Sequence, residues 1–114
     1  MQSIDWTSLG FKYLDTNSHI RYTWRKGAWD AGELVREPYL KLHIAASCLH
    51  YGQAAFEGLK VFGCRDGRVR AFRPAENAER MHRTARRVCM APVPVELFLE
   101  ALRRVVQANR AFIP

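Results

Sequence analysis

A chain of 114 residues has room for one ordinary domain and not for two with a catalytic cleft between them. With 48% hydrophobic and 25% charged residues it has the composition of a packed soluble domain, which argues against a disordered tail or a collagen-like repeat, and no apolar run approaches the roughly 20 residues of a transmembrane helix. The net charge of +7, from 18 Lys and Arg against 11 Asp and Glu, suits an anionic partner without choosing between nucleic acid and an anionic cofactor.

The segment Met1 to Lys12 has no apolar core of the secretory kind, so a cytoplasmic location is expected. Cys48, Cys64 and Cys89 form an odd set with no Cys-x-x-Cys pair, and are expected as free thiols in a reducing compartment. Polar Asp15-Thr16-Asn17-Ser18 reads as a loop after an aromatic N-terminal stretch. Ile20 to Trp24 then alternates apolar and polar residues, and Arg25-Lys26-Gly27 can turn the chain back toward Trp29 as a hairpin with one half-buried face. A second hairpin is expected from Leu59–Phe62 and Arg68–Phe72, because Arg65-Asp66-Gly67 supplies an Asp-Gly pair that tolerates the positive φ of tight turns.

Two helices follow, each with proline near its first position, where the missing N–H costs nothing. The first is expected from about Pro74 to Met90, with Ala78, Met81, Ala85, Val88 and Cys89 on its apolar side and Arg80, Arg83 and Arg87 opposite. The second is expected from about Pro94 to Arg110, with Leu97, Phe98, Ala101, Leu102, Val105 and Val106 facing a sheet. Strands first and helices afterwards predict an α+β domain, a mainly antiparallel sheet with two C-terminal helices on one face.

The stretch Leu49 to Lys60 packs two aromatics and two glycines into a link between strands. Tyr51 and Phe56 can wall an apolar pocket while the glycines let backbone approach a ligand, but residue chemistry alone favours core packing and turns. Arg80 stands one turn inside its helix, where a guanidinium can grip a phosphate; on the same grounds a solvated stripe shared with Arg83 and Arg87 is the plainer account. His19, His43, His50 and His82 show no i, i+4 pair and no nearby carboxylate at metal-ligand spacing, so no metal is assigned, and neither a Gly-rich phosphate loop nor a Gly-x-Ser-x-Gly elbow is present. Cys48 lies two residues before His50, which is no catalytic dyad, and a buried thiol is expected there.

Taken together, His50-Tyr51-Gly52 leading to Phe56-Glu57-Gly58-Leu59-Lys60, Asp66-Gly67 leading to Phe72-Arg73-Pro74, and Asn77 leading to Arg80-Met81 closely resemble the N-terminal part of branched-chain amino acid aminotransferases, the fold-type IV enzymes that use pyridoxal phosphate. Trp29 to Leu34 and Asn109 to Pro114 fit as well, so the resemblance runs from Gly10 onward. It implies that Arg80 holds the cofactor phosphate, that Tyr51, Phe56 and Gly58 line the pocket for a branched side chain, and that Lys60 is a basic position ending the same strand. It implies amino-group transfer between Leu, Ile or Val and 2-oxoglutarate, in a homodimer that engages no nucleic acid and no membrane.

The departure from the family concerns mechanism. Neither Lys41 nor Lys60 matches the Schiff-base position, which in the family lies in a large domain downstream, beyond a Tyr-x-Arg-Pro strand. Residues 1–114 are therefore expected to form the N-terminal small domain, without a catalytic residue and unable to transaminate alone. The nearest rivals in the same fold are D-amino acid aminotransferases and aminodeoxychorismate lyases. Outside it stand a small basic module using Arg80, Arg83, Arg86 and Arg87 on nucleic acid, and a fragment that pairs with a full-length partner through exposed apolar surface.

Overall fold

The first chain reversal is carried by Lys26 and Gly27, whose φ values of 50° and 83° are those of a primed two-residue turn. In the computed structural model, which describes residues 4–10 and 12–114, this turn joins β2 (Trp24–Arg25) to β3 (Ala28–Trp29). Trp24 sits opposite Trp29, with ring centroids 5.4 Å apart at 60°, an edge-to-face pair that fixes the register. Further from the turn, β1 (His19–Arg21) pairs antiparallel with β4 (Glu33–Val35). The two ladders are separated by Tyr22-Thr23 and Asp30-Ala31-Gly32, where the Asp30 carboxylate accepts from the Thr23 and Gly32 amides at 3.0 Å each. The side chain there takes two amides, leaving Asp30 N–H to Thr23 O as a backbone bond, and the expected strand over Ile20–Trp24 is interrupted.

The second hairpin is β5 (Val61–Gly63) against β6 (Val69–Ala71), shorter at both ends than Leu59–Phe62 and Arg68–Phe72 suggested. Its three-residue loop closes through Gly67 N–H to Cys64 O at 2.9 Å and Cys64 N–H to Arg68 O at 2.8 Å, with Gly67 at φ 76°. A type I turn followed by a left-handed residue requires that arrangement, and the Asp-Gly pair satisfies it.

Among the described residues the strands form three separate antiparallel pairs rather than one continuous sheet. Short helices α1 (Trp6–Leu9) and α2 (Ser47–His50) precede and interrupt them, while α3 (Pro74–Arg87) and α4 (Val95–Ala108) close the order as expected, followed by a 3₁₀ turn at Arg110–Phe112. The fold is α+β. α4 lies against β1, and α3 against α4.

α3 ends three residues before Met90, in a Schellman arrangement. Met90 N–H reaches Ala85 O at 2.9 Å and Cys89 N–H reaches Arg86 O at 3.2 Å, with Cys89 itself in the left-handed region at φ 57°. Cys89 is thus an exposed terminator and not a member of the apolar face. Cys48, expected buried, is exposed on the one-turn helix α2, and Cys64 is half-buried. Ala78 and Ala85, seven residues apart on one side of α3, are the two buried apolar residues among those described. The apolar residues of α4 are half-buried.

Polar side chains do much of the joining. Arg104 on α4 donates to Ala31 O at 2.7 Å, Gly32 O at 3.0 Å and the Tyr22 hydroxyl at 2.9 Å, and its guanidinium stacks over the Tyr22 ring at 5.6 Å. Asn109, buried at the end of α4, donates to Ser18 O and accepts from Ser18 N–H, so the Asp15–Ser18 loop ends tethered. Arg110 donates to Gly67 O at 2.9 Å, connecting α4 to the second hairpin. No described helix is long and apolar enough to cross a membrane.

Candidate functional site

The link from Tyr51 to Lys60 has no regular hydrogen-bonded structure, yet it is stitched to α3 at two places. Gln53 Nε2 donates to Val88 O at 2.8 Å, at the end of the helix. Near the helix start, Asn77 Nδ2 donates to the Glu57 carboxylate and to Gly58 O, both at 2.8 Å. The link therefore runs antiparallel along α3.

Arg80 completes the second anchor. It is three residues beyond Asn77, so both side chains rise from the same face of α3. Its Nε donates to Glu57 Oε2 at 2.8 Å, and its Nη2 donates to the other carboxylate oxygen, a fork-to-fork pairing. The Glu57 side chain is only 5% exposed while that of Arg80 is 57% exposed, so the acid is enclosed and the guanidinium faces outward. Of its five N–H bonds two are engaged by Glu57, and no other acceptor takes the remaining three among the described residues. Arg80 is thereby set apart from Arg83, whose nearest acid is Glu79 at 3.8 Å on the exposed helix surface.

Arg80 first, and then the Asn77 amide, hold the Glu57 carboxyl below its ordinary value of 4.5. A carboxyl whose folded value is lowered stabilises the fold above its unfolded value and ceases to do so as the pH falls through the folded one. Unfolding followed from about pH 6 down to about pH 3 is expected to show a loss of stability that is smaller in Glu57→Gln than in wild type. Equal pH slopes in the two proteins would show that the pair carries no protonation linkage.

Phe56 and Gly58 flank Glu57, and Gly58 O is held by the Asn77 amide. Gly58 has no special backbone angle, and a methyl group there would meet the Phe56 ring at an ordinary 3.7 Å, so the chain's own packing does not demand glycine. Phe56 is 91% exposed and Tyr51 87% exposed, and they do not close a pocket between them. Tyr51 borders a shallow hollow of about 410 Å³ with Ser47, Gly52, Gln53 and Val88, which includes neither Phe56, Gly58, Lys60 nor Arg80. Lys60 is exposed, immediately before β5.

A second hollow, of about 520 Å³, is floored by Trp24, Trp29, Pro92 and Pro94. Two of its polar groups are already engaged by backbone, Trp29 Nε1 with Pro92 O and His82 Nδ1 with Val93 O. Among the described residues no three His, Cys, Asp or Glu side chains gather as a metal site.

The sequence singles out Arg80 but not what holds it. Glu57 is the only acid between Tyr51 and Lys60, and Asn77 and Arg80 share a helix face; those were the available signals.

No family model matches the chain. Among curated proteins it is 46% identical over 113 residues to the branched-chain-amino-acid aminotransferase of Haemophilus influenzae and 42% identical over 113 residues to that of Helicobacter pylori, covering 99% of this chain and 33% of each relative. It is 39% identical over 112 residues to the mitochondrial branched-chain-amino-acid aminotransferase 1 of Arabidopsis thaliana, covering 97% of this chain and 29% of that protein. The chain thus spans about a third of the length of the curated relatives it matches. The residues that surround Arg80 therefore lie in a chain homologous, over nearly its whole length, to the N-terminal portion of branched-chain amino acid aminotransferases.

Proposed function

We propose that residues 1–114 are the small N-terminal domain of a pyridoxal-phosphate-dependent branched-chain aminotransferase, cytoplasmic and homodimeric, which exchanges the amino group of Leu, Ile or Val with 2-oxoglutarate. The observation that carries this reading is Arg80, an outward guanidinium clamped on one edge by an enclosed carboxylate and open on the other. That donor set fits a phosphate, whose oxygens accept several N–H bonds from one planar fork. When bound, pyridoxal phosphate supplies an electron-withdrawing ring that accommodates negative charge developing at the substrate Cα.

In this reading the chain's own residues bind and orient. Arg80 holds the phosphate and so sets where the ring lies. Phe56 and Tyr51 offer the apolar surface against which a branched side chain is buried, and Gly58 leaves room for it to approach. Burial is worth about 0.8 kcal/mol per methylene, so such a wall separates Leu, Ile and Val from Ala without any charged contact. Lys60 adds positive charge beside β5 for an acidic co-substrate or cofactor.

None of Lys12, Lys26, Lys41 and Lys60 carries the Schiff-base role in this proposal, and the proton transfers at Cα fall to groups outside these 114 residues. The complete protein, loaded with pyridoxal phosphate, is expected to form glutamate from leucine and 2-oxoglutarate, while the polypeptide of residues 1–114 alone forms none. Transfer from D-alanine but not from leucine by the complete protein would move the reading to a D-amino acid aminotransferase.

A further inference from the structure

We propose that Glu57 is a positioning residue which, with Asn77, fixes the edge that Arg80 presents to the cofactor phosphate and locks that anchor in register with the Phe56–Gly58 segment. The inference rests on the reading of Arg80 given above. Four observations support it. Glu57 is the enclosed member of the pair and Arg80 the exposed one, so the acid acts as the fixed point and the guanidinium as the part it orients. Glu57 takes the Nε and Nη2 side of the fork, which leaves the Nη1 side for an external anion. Asn77 donates to the same carboxylate, holding its plane, and does so from the helix that carries Arg80. Asn77 also donates to Gly58 O, so the same amide secures the backbone beside Phe56. Arg80 and the backbone at Gly58 are thus held at a fixed separation.

Charge and position make opposite demands here, and that makes the role measurable. A carboxylate next to a phosphate site repels the phosphate, so on Coulombic grounds Glu57→Gln strengthens phosphate binding. If Glu57 positions Arg80, the same substitution weakens it, because an amide NH2 in place of one carboxylate oxygen cannot accept, the two-oxygen pairing is lost and Arg80 regains its rotamer freedom. A merely structural cross-link predicts a third result, lower stability with no selectivity for phosphate.

The measurement is the affinity of the cofactor-free complete protein for pyridoxal phosphate and for pyridoxal, which lacks the phosphate, by absorbance or fluorescence titration. The ratio of the two affinities reports the phosphate contact alone. Arg80→Ala is expected to collapse this ratio; if it leaves the ratio unchanged, the reading of Arg80 fails and the role of Glu57 falls with it. With the ratio collapsed in Arg80→Ala, Glu57→Gln is expected to lower it by about tenfold, and Asn77→Ala by a few-fold. An unchanged or raised ratio in Glu57→Gln overturns the positioning role while leaving Arg80 as the phosphate ligand. Should Glu57→Gln fail to fold, Asn77→Ala decides: a lowered ratio supports the inference and an unchanged one overturns it.

Discussion

Gly32→Ala is expected to lower stability by about 3 kcal/mol, roughly a hundredfold in the folding constant. Two costs combine. Gly32 has φ +68°, in the left-handed region that an alanine enters at about 1 kcal/mol or more. A methyl group built there stands 2.5 Å from Tyr22 Cζ and 2.7 Å from Cδ1, so the ring must move. Tyr22 is poorly free to do so, because its hydroxyl accepts from Arg104 at 2.9 Å and donates to Glu100 at 3.3 Å, with the guanidinium stacked on the ring. Arg104 also binds Gly32 O, so displacing the ring disturbs the contact that joins the first hairpin to α4. Overpacking of this kind costs about 1–3 kcal/mol beyond the backbone term. Urea unfolding of the complete protein tests this, and a loss below about 1 kcal/mol would show that the ring yields freely. Tyr22→Ser placed with Gly32→Ala removes the clash, so the pair is expected to lose less than the sum of the two single variants.

Arg80→Ala is expected to weaken the complete protein's affinity for pyridoxal phosphate by about a hundredfold and to leave its affinity for pyridoxal within about twofold. The guanidinium offers three N–H bonds to an external anion, and alanine offers none. Arg80→Lys retains the charge but not the fork, and an ammonium cannot both pair with Glu57 and face the phosphate with two parallel donors, so it is expected to recover only part of the loss. Equal weakening toward both ligands would make Arg80 a structural residue, one that serves Glu57 rather than a phosphate. Removing the cation also leaves Glu57 enclosed and unpaired, so an unfolding midpoint measured beside the titrations separates loss of fold from loss of ligand.

Much of the local structure was legible because neighbouring residues decide it. Lys26-Gly27 and Asp66-Gly67 specify tight turns through φ, and both hairpins form there. Pro74 and Pro94 stand at the helix starts, where their rings suit the first turn, and α3 and α4 begin within a residue of them. Helix ends were less legible. Cys89 fits the apolar side of α3 by periodicity, but the backbone turns left-handed at that residue and exposes it. The single sheet expected from the strand order gives way to three pairs: the Asp30 side chain, capping the backbone between β1 and β2, divides the first hairpin into two, and β5–β6 pairs with neither.

The candidate site divides along the same line. The α+β order, the turns, the two amphipathic helices and, through the motif around Phe56 to Lys60 and Arg80, the kinship with branched-chain aminotransferases can all be read from the residues. These depend on residue type and short spacing, which the chain states directly. Packing alone brings Glu57 across 23 positions to Arg80, Asn77 to both Glu57 and Gly58, and Arg104 across 82 to Tyr22. A side chain's partner at such separations is set by how an irregular link and a hairpin lie on α3 and α4. That path has no periodicity to read, and its hydrogen bonds exist only once the elements have packed.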